Sequence, residues 1–179
     1  MNTLNLNDLK DGRFGVSKNI GPFLAEAALV CLDLNQHSPG TTLNLSGFSE
    51  ESFILDWTDT VTPEISKSWK DLKEATEYGA TAIAALLIFP ISGLIIAGRV
   101  PQVEQSDYVL QSPDNYRNDA SNPEAFLEVS GILNENVGNT INMRVERKKR
   151  HIQQGVPRNY PTYIIVIEFG IPKSKIAKI

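Results

Sequence analysis

The sequence predicts one α/β (or α+β) domain, a mixed β-sheet flanked by helices. Three observations lead there. Segments of helical period near 17–34, 63–89 and 137–154 are interleaved with short runs rich in β-branched and aromatic residues. The last such run, TYIIVIEFG at 162–170, is apolar at successive positions, as in a central strand covered on both faces. A chain of 179 residues that is 41% apolar and 21% charged is also long enough to bury a core as a single domain without staples.

The elements follow in order. Residues 17–34, SKNIGPFLAEAALVCLDL, carry Ile20, Leu24, Ala27 and Cys31 on one side and Phe23 and Val30 on another, which predicts a largely buried helix. HSPGT ends it, and Thr41–Ser46 and Ser52–Trp57 read as two strands about a turn at Gly47. Thr62, Pro63 and Glu64 supply an N-cap, a first-turn proline and a first-turn acid. From there Ile65, Trp69, Leu72, Thr76, Ile83 and Leu86 keep helical spacing to Phe89, with Gly79 as a point of loosening. Three strands are expected next: LIIAGRV at 94–100, SDYVLQ at 106–111 and AFLEVSGI at 125–132, the last two joined by a polar loop at 112–124. VGNTINMRVERKKRHIQQ at 137–154 is amphipathic, with Ile141, Val145 and Ile152 inward and its cations mostly outward. The expected order from Pro63 is therefore αβββαβ over residues 63–170, preceded by a helix and hairpin at 17–57, all within one domain of residues 1–179.

The amino terminus lacks a basic stretch followed by a continuous apolar one, so no secretory signal is expected. Residues 79–98 hold no charge, but Pro90, Ser92 and Gly93 interrupt them, which fits a buried helix followed by a buried strand better than a membrane span. One cysteine, Cys31, in an apolar helical pattern points to a reduced compartment and an inert core thiol; a cytoplasmic location is the expectation. His37 and His151 have no partner at zinc-ligand spacing, and no GxSxG, Walker or GxGxxG pattern occurs. The net charge of −4 offers no general attraction to polyanions, yet it is unevenly spread. From residue 131 onward nine Lys/Arg face three Glu, giving +6 and leaving −10 for residues 1–130. The run ERKKRH at 146–151 reads either as a phosphate-facing surface or as a solvated helix face with cations favoured near its carboxyl end; it contains no aromatic residue for base stacking.

Acids placed in apolar surroundings are the candidate site residues. Glu128 shares a strand face with Phe126, Ser130 and Ile132, and a carboxylate there is costly unless paired. Asp107 opens the preceding strand, so the two carboxylates converge if those strands are neighbours. Two such oxygens suit a hard cation such as Mg²⁺ or Mn²⁺, with water and a substrate phosphate completing its shell. Equally, Glu128 can pair with an arginine of the 144–150 run, or lie with Asp107 and Ser130 on the polar face of a half-exposed sheet. Glu77 lies on a helical row with Lys73, and Glu26 lies between Phe23 and Val30, either able to pair with a nearby lysine.

This arrangement resembles the PD-(D/E)xK nuclease superfamily, whose core runs αβββαβ with an Asp on the second strand, Glu-x-Lys on the third and often a Glu on the first helix. Asp107 in SDYVL, Glu128 in LEVS and Glu77 in ATEYGA fall on that motif, over about residues 63–170. The resemblance implies metal-dependent phosphodiester hydrolysis of nucleic acid, with Asp107, Glu128 and Glu77 as ligands of Mg²⁺ or Mn²⁺ and the basic 144–150 helix near the nucleic acid. Ser130 stands where the motif has its lysine, which positions water and offsets charge. The resemblance then assigns that cation to Lys148 or Lys149 on the following helix. The other expectation is a catalytically silent domain of the same fold that binds nucleic acid, a protein partner or a second copy of itself.

Overall fold

The structure is a computed structural model and describes residues 2–100, 106–118, 122–155 and 159–179. Its elements run β1 (Asn2–Asn5), a 3-10 turn (Leu6–Asp11), α1 (Ile20–Leu34), β2 (Thr41–Gly47), β3 (Glu51–Asp56), α2 (Pro63–Ser68), α3 (Leu72–Ser92), β4 (Ile95–Arg99), β5 (Tyr108–Gln111), α4 (Pro113–Arg117), β6 (Ala125–Ile132), α5 (Ile141–Gln153), β7 (Thr162–Glu168) and β8 (Lys173–Lys178). All strands join one mixed eight-stranded sheet in the order β1-β3-β2-β8-β7-β6-β5-β4. The αβββαβ order holds through α3, β4, β5, β6, α5 and β7, with the short α4 inserted before β6. β6 and β7 are parallel neighbours, Phe126 opposite Thr162 through Ile132 opposite Glu168, and α5 is the crossover between them.

Both faces of the central strands are covered, hence their apolar sequence. On one side α1 and α3 pack with Leu127, Val129, Ile165 and Ile167. On the other, Ile141 and Val145 of α5 meet Ile132, Ile164 and Val166. Glu128 and Ser130 point to the α5 side but are buried, so the half-exposed polar face expected there is instead an interior one. α3 is the single helix among the described residues long and apolar enough to cross a bilayer, and 67% of that apolar window is buried against its neighbours.

The expected long helix from Pro63 to Phe89 is two helices. Asp71 breaks it by capping α3: its Oδ1 accepts from the backbone N–H groups of Lys73 at 3.0 Å and Glu74 at 3.3 Å. Asp71→Ala is expected to lower stability by about 1 kcal/mol in urea unfolding, through loss of that cap. α3 also runs past Pro90 to Ser92 before Gly93, in the left-handed region at φ 73°, ends it; a proline so near the end disrupts only the last turn. Gly79 does not loosen α3. A Cβ there would lie 3.0 Å from Ala28 Cα, so glycine lets α1 and α3 approach closely.

Other boundaries move as well. α5 begins at Ile141, where Thr140 Oγ1 accepts from Met143 N–H at 3.3 Å, rather than at residue 137. α4 occupies part of the expected 112–124 loop, capped by Ser112, while residues 119–121 of that loop lie outside the described residues. β1 and β8 have no counterpart in the sequence expectation.

Candidate functional site

Asp107 and Glu128 do converge. β5 and β6 are antiparallel with Tyr108 opposite Leu127, and continuing that register by one residue sets Asp107 opposite Glu128 on the α5 side. Asp107 N–H donates to Leu127 C=O at 3.0 Å, and Asp107 Oδ2 accepts from Val129 N–H at 2.8 Å, so the carboxylate is locked beside β6. Glu128 is only 5% exposed. Burial first, and then the negative charge of Asp107, push its carboxyl up to about 7, against the pull of Lys148; when protonated it can hydrogen-bond Asp107.

The next helix supplies the cations. Lys148 Nζ donates to Glu128 Oε1. Four residues earlier on the same helical row, Arg144 donates from Nη1 to Ser130 Oγ at 3.1 Å and from Nε to Asn139 Oδ1 at 2.6 Å. The expected arginine partner of Glu128 is therefore Lys148, and Arg144 lies over Ser130. Burial and the neighbouring Arg147 lower the Arg144 guanidinium pKa, which the charge of Glu77 opposes. Lys149 is turned elsewhere, to Glu146 Oε1 at 2.8 Å, and joins no part of this arrangement.

Asp107, Ser130, Asn139, Arg144, Arg147 and Lys148 line one cleft of about 750 Å³. Lys73, Glu77 and Tyr78 of α3 form one wall, Arg144, Arg147, Lys148 and His151 of α5 the other, and Arg99, Asp107 and Tyr108 close one end. Glu128 sits behind Lys148. Glu77 thus belongs to the cleft, but among the described residues no three His, Cys, Asp or Glu side chains gather into a metal-binding cluster. The donors that do adjoin are the pair Asp107 and Glu128, whose mutual repulsion in a buried setting is the kind a bound cation relieves.

Remaining candidates resolve to structural roles. Glu26 Oε1 accepts from Trp69 Nε1 at 2.7 Å rather than pairing with a lysine. Burial pushes the Cys31 thiol up to about 12, so it stays protonated and unreactive. His37 Nε2 lies 2.8 Å from Phe169 O, tying the end of α1 to the end of β7.

Sequence reasoning missed Arg99 and Tyr78 as cleft residues, and placed Arg144 only within the basic 144–150 run without singling it out. Arg144 carried a signal, since it is four residues from Lys148 and so shares its helical face. Compared with known proteins, the chain matches no protein-family model and no curated protein.

Proposed function

We propose that this cleft hydrolyses phosphodiester bonds of nucleic acid with the help of Mg²⁺ or Mn²⁺, Asp107 and Glu128 serving as the metal donors. One observation carries the reading: two adjoining carboxylates, Asp107 lining a cleft with Lys73, Arg99, Arg144, Arg147 and Lys148, and Glu128 buried beside it and raised to about 7 partly by Asp107. The αβββαβ order, with Asp107 immediately before β5 and Glu128 on the neighbouring β6, supports the likeness to a PD-(D/E)xK core. A divalent cation held by this pair would polarise a phosphate and lower the pKa of water near it.

The chain's own residues have separable tasks. Asp107, fixed by Val129 N–H, lines the cleft beside Glu128. Arg144 and Arg147 draw phosphate in and hold its charge. Lys148 neutralises Glu128 at rest and, because its stem is flexible, can turn from the carboxylate to a phosphate oxygen in the cleft. The site therefore has its motif lysine displaced by 18 residues along the chain, from the Ser130 position to Lys148. Glu77 acts as the counter-charge of Arg144.

Calorimetric titration of Mn²⁺ tests this without a guess at substrate. Wild type is expected to bind, Asp107→Ala to lose binding, and Lys148→Ala to bind severalfold tighter, because the ammonium competes for Glu128. Affinity is expected to rise between about pH 6 and 8, as the Glu128 carboxyl with its pKa of about 7 gives up its proton. The absence of binding in all three proteins would favour the silent interaction domain, for which neutral Ser130 and the closed Lys148–Glu128 pair speak.

A further inference from the structure

We infer that the cleft accepts a single strand of nucleic acid in preference to a duplex, with Tyr78 as the surface on which a base stacks. The inference rests on the phosphodiester reading and names the substrate form for the same site.

Size and depth come first. A cleft of about 750 Å³ is of the dimension that encloses small ligands, about 300–1,000 Å³, not the groove-spanning surface that embraces a double helix. Asp107 lines this cleft, between a wall made by α3 and one made by α5, and Glu128, 5% exposed, adjoins it through Lys148. A duplex offers its phosphates on the outside of a stiff cylinder, while a flexible single strand can feed a phosphate between the two walls to Asp107.

The walls have matching chemistry. Tyr78 lines the cleft from α3, and its ring is held edge-on by Phe23 at 4.9 Å and by Trp69 at 6.2 Å between centroids. Trp69 is anchored in turn by its bond to Glu26. A ring so braced loses little freedom when a base stacks upon it. Opposite stand Arg147, Lys148 and His151. The basic helix has no aromatic residue of its own, and α3 supplies the ring that it lacks. Cations tracking a backbone beside a fixed aromatic face is the general recipe for single-strand binding without sequence preference.

Fluorescence anisotropy with a labelled oligothymidylate of about 12 nucleotides, and with the same strand annealed to its complement, decides the matter. The measurements use the full chain in EDTA at one fixed salt concentration, so that neither cleavage nor counterion effects intrude. The single strand is expected to bind about tenfold tighter than the duplex. Tyr78→Ala should weaken single-strand binding by about 5- to 100-fold and leave duplex binding unchanged, and Tyr78→Phe should restore it. Duplex binding equal to or tighter than single-strand binding overturns the inference, as does a Tyr78→Ala protein that binds the strand like wild type. The Mn²⁺ titration separates the two readings. Metal binding with duplex preference removes the single-strand inference alone, and Tyr78-dependent strand binding without metal binding removes hydrolysis alone.

Discussion

Glutamine in place of Glu128 is expected to make the protein more stable at about pH 8 and, on the proposed metal-binding reading, to abolish Mn²⁺ binding. The Glu128 carboxyl titrates near 7 in the folded chain against an ordinary value of 4.5. Between those values the native state holds a proton that the unfolded state has released, so stability falls as pH rises through this window. The full contribution is present below 4.5 and lost above about 7, and amounts to up to about 3 kcal/mol. Glu128→Gln removes the titration and keeps the shape. Urea unfolding at a series of pH values should give coincident wild-type and variant curves near pH 4, diverging to a variant advantage of about 1–3 kcal/mol at pH 8. A constant difference across the series would mean that burial does not raise the Glu128 carboxyl.

The second large effect is expected at Gly131. A Cβ there would lie 2.3 Å from the backbone oxygen of Thr76 and 2.7 Å from its Cγ2, in the place where α3 crosses β6. Backbone cannot yield as a side chain does, so Gly131→Ala must push α3 off the sheet. Overpacking of this kind costs about 1–3 kcal/mol, and more where a helix has to move. For a chain of this size that is a fall in Tm of roughly 2–12 °C, measurable by calorimetry. Glu77 and Tyr78, one and two residues beyond Thr76, would move with the helix, so oligothymidylate affinity should fall as well. A variant of wild-type stability would place α3 farther from β6 than the geometry here.

Much of the frame was legible because burial imposes period. α1, the β2–β3 hairpin, β6 and α5 follow from helical spacing or alternation, and the pairing of Asp107 with Glu128 follows once β5 and β6 are taken as neighbours. The break between α2 and α3 was also written in the chain, as Asp71 followed three residues later by Glu74, but the apolar series running from Ile65 through Trp69 to Leu72 outweighed it. β8, KSKIAK, hid behind its three lysines. Lys173 pairs with Glu135 and Lys175 donates to Asn142, while Ser174, Ile176 and Ala177 are buried. The wall of the cleft was the least legible part. Tyr78 and Lys148 line the same cleft only because α3 and α5 flank the same strand from opposite sides, and no local spacing of residues encodes that.

β8 also has a bearing on how the chain reaches this state. It is the strand that joins the two halves of the sheet, pairing with β7 on one edge and with β2 on the other, where Asn44 meets Lys173 and Gly47 meets Ile176. The β2–β3 hairpin forms early in synthesis and quickly, yet its edge waits for a partner more than a hundred residues downstream. Until then that edge stands open to other chains. Closure of so long a loop makes the last pairing slow, and refolding should show a late phase that a weakened β8 retards further, with aggregation competing from the exposed hairpin.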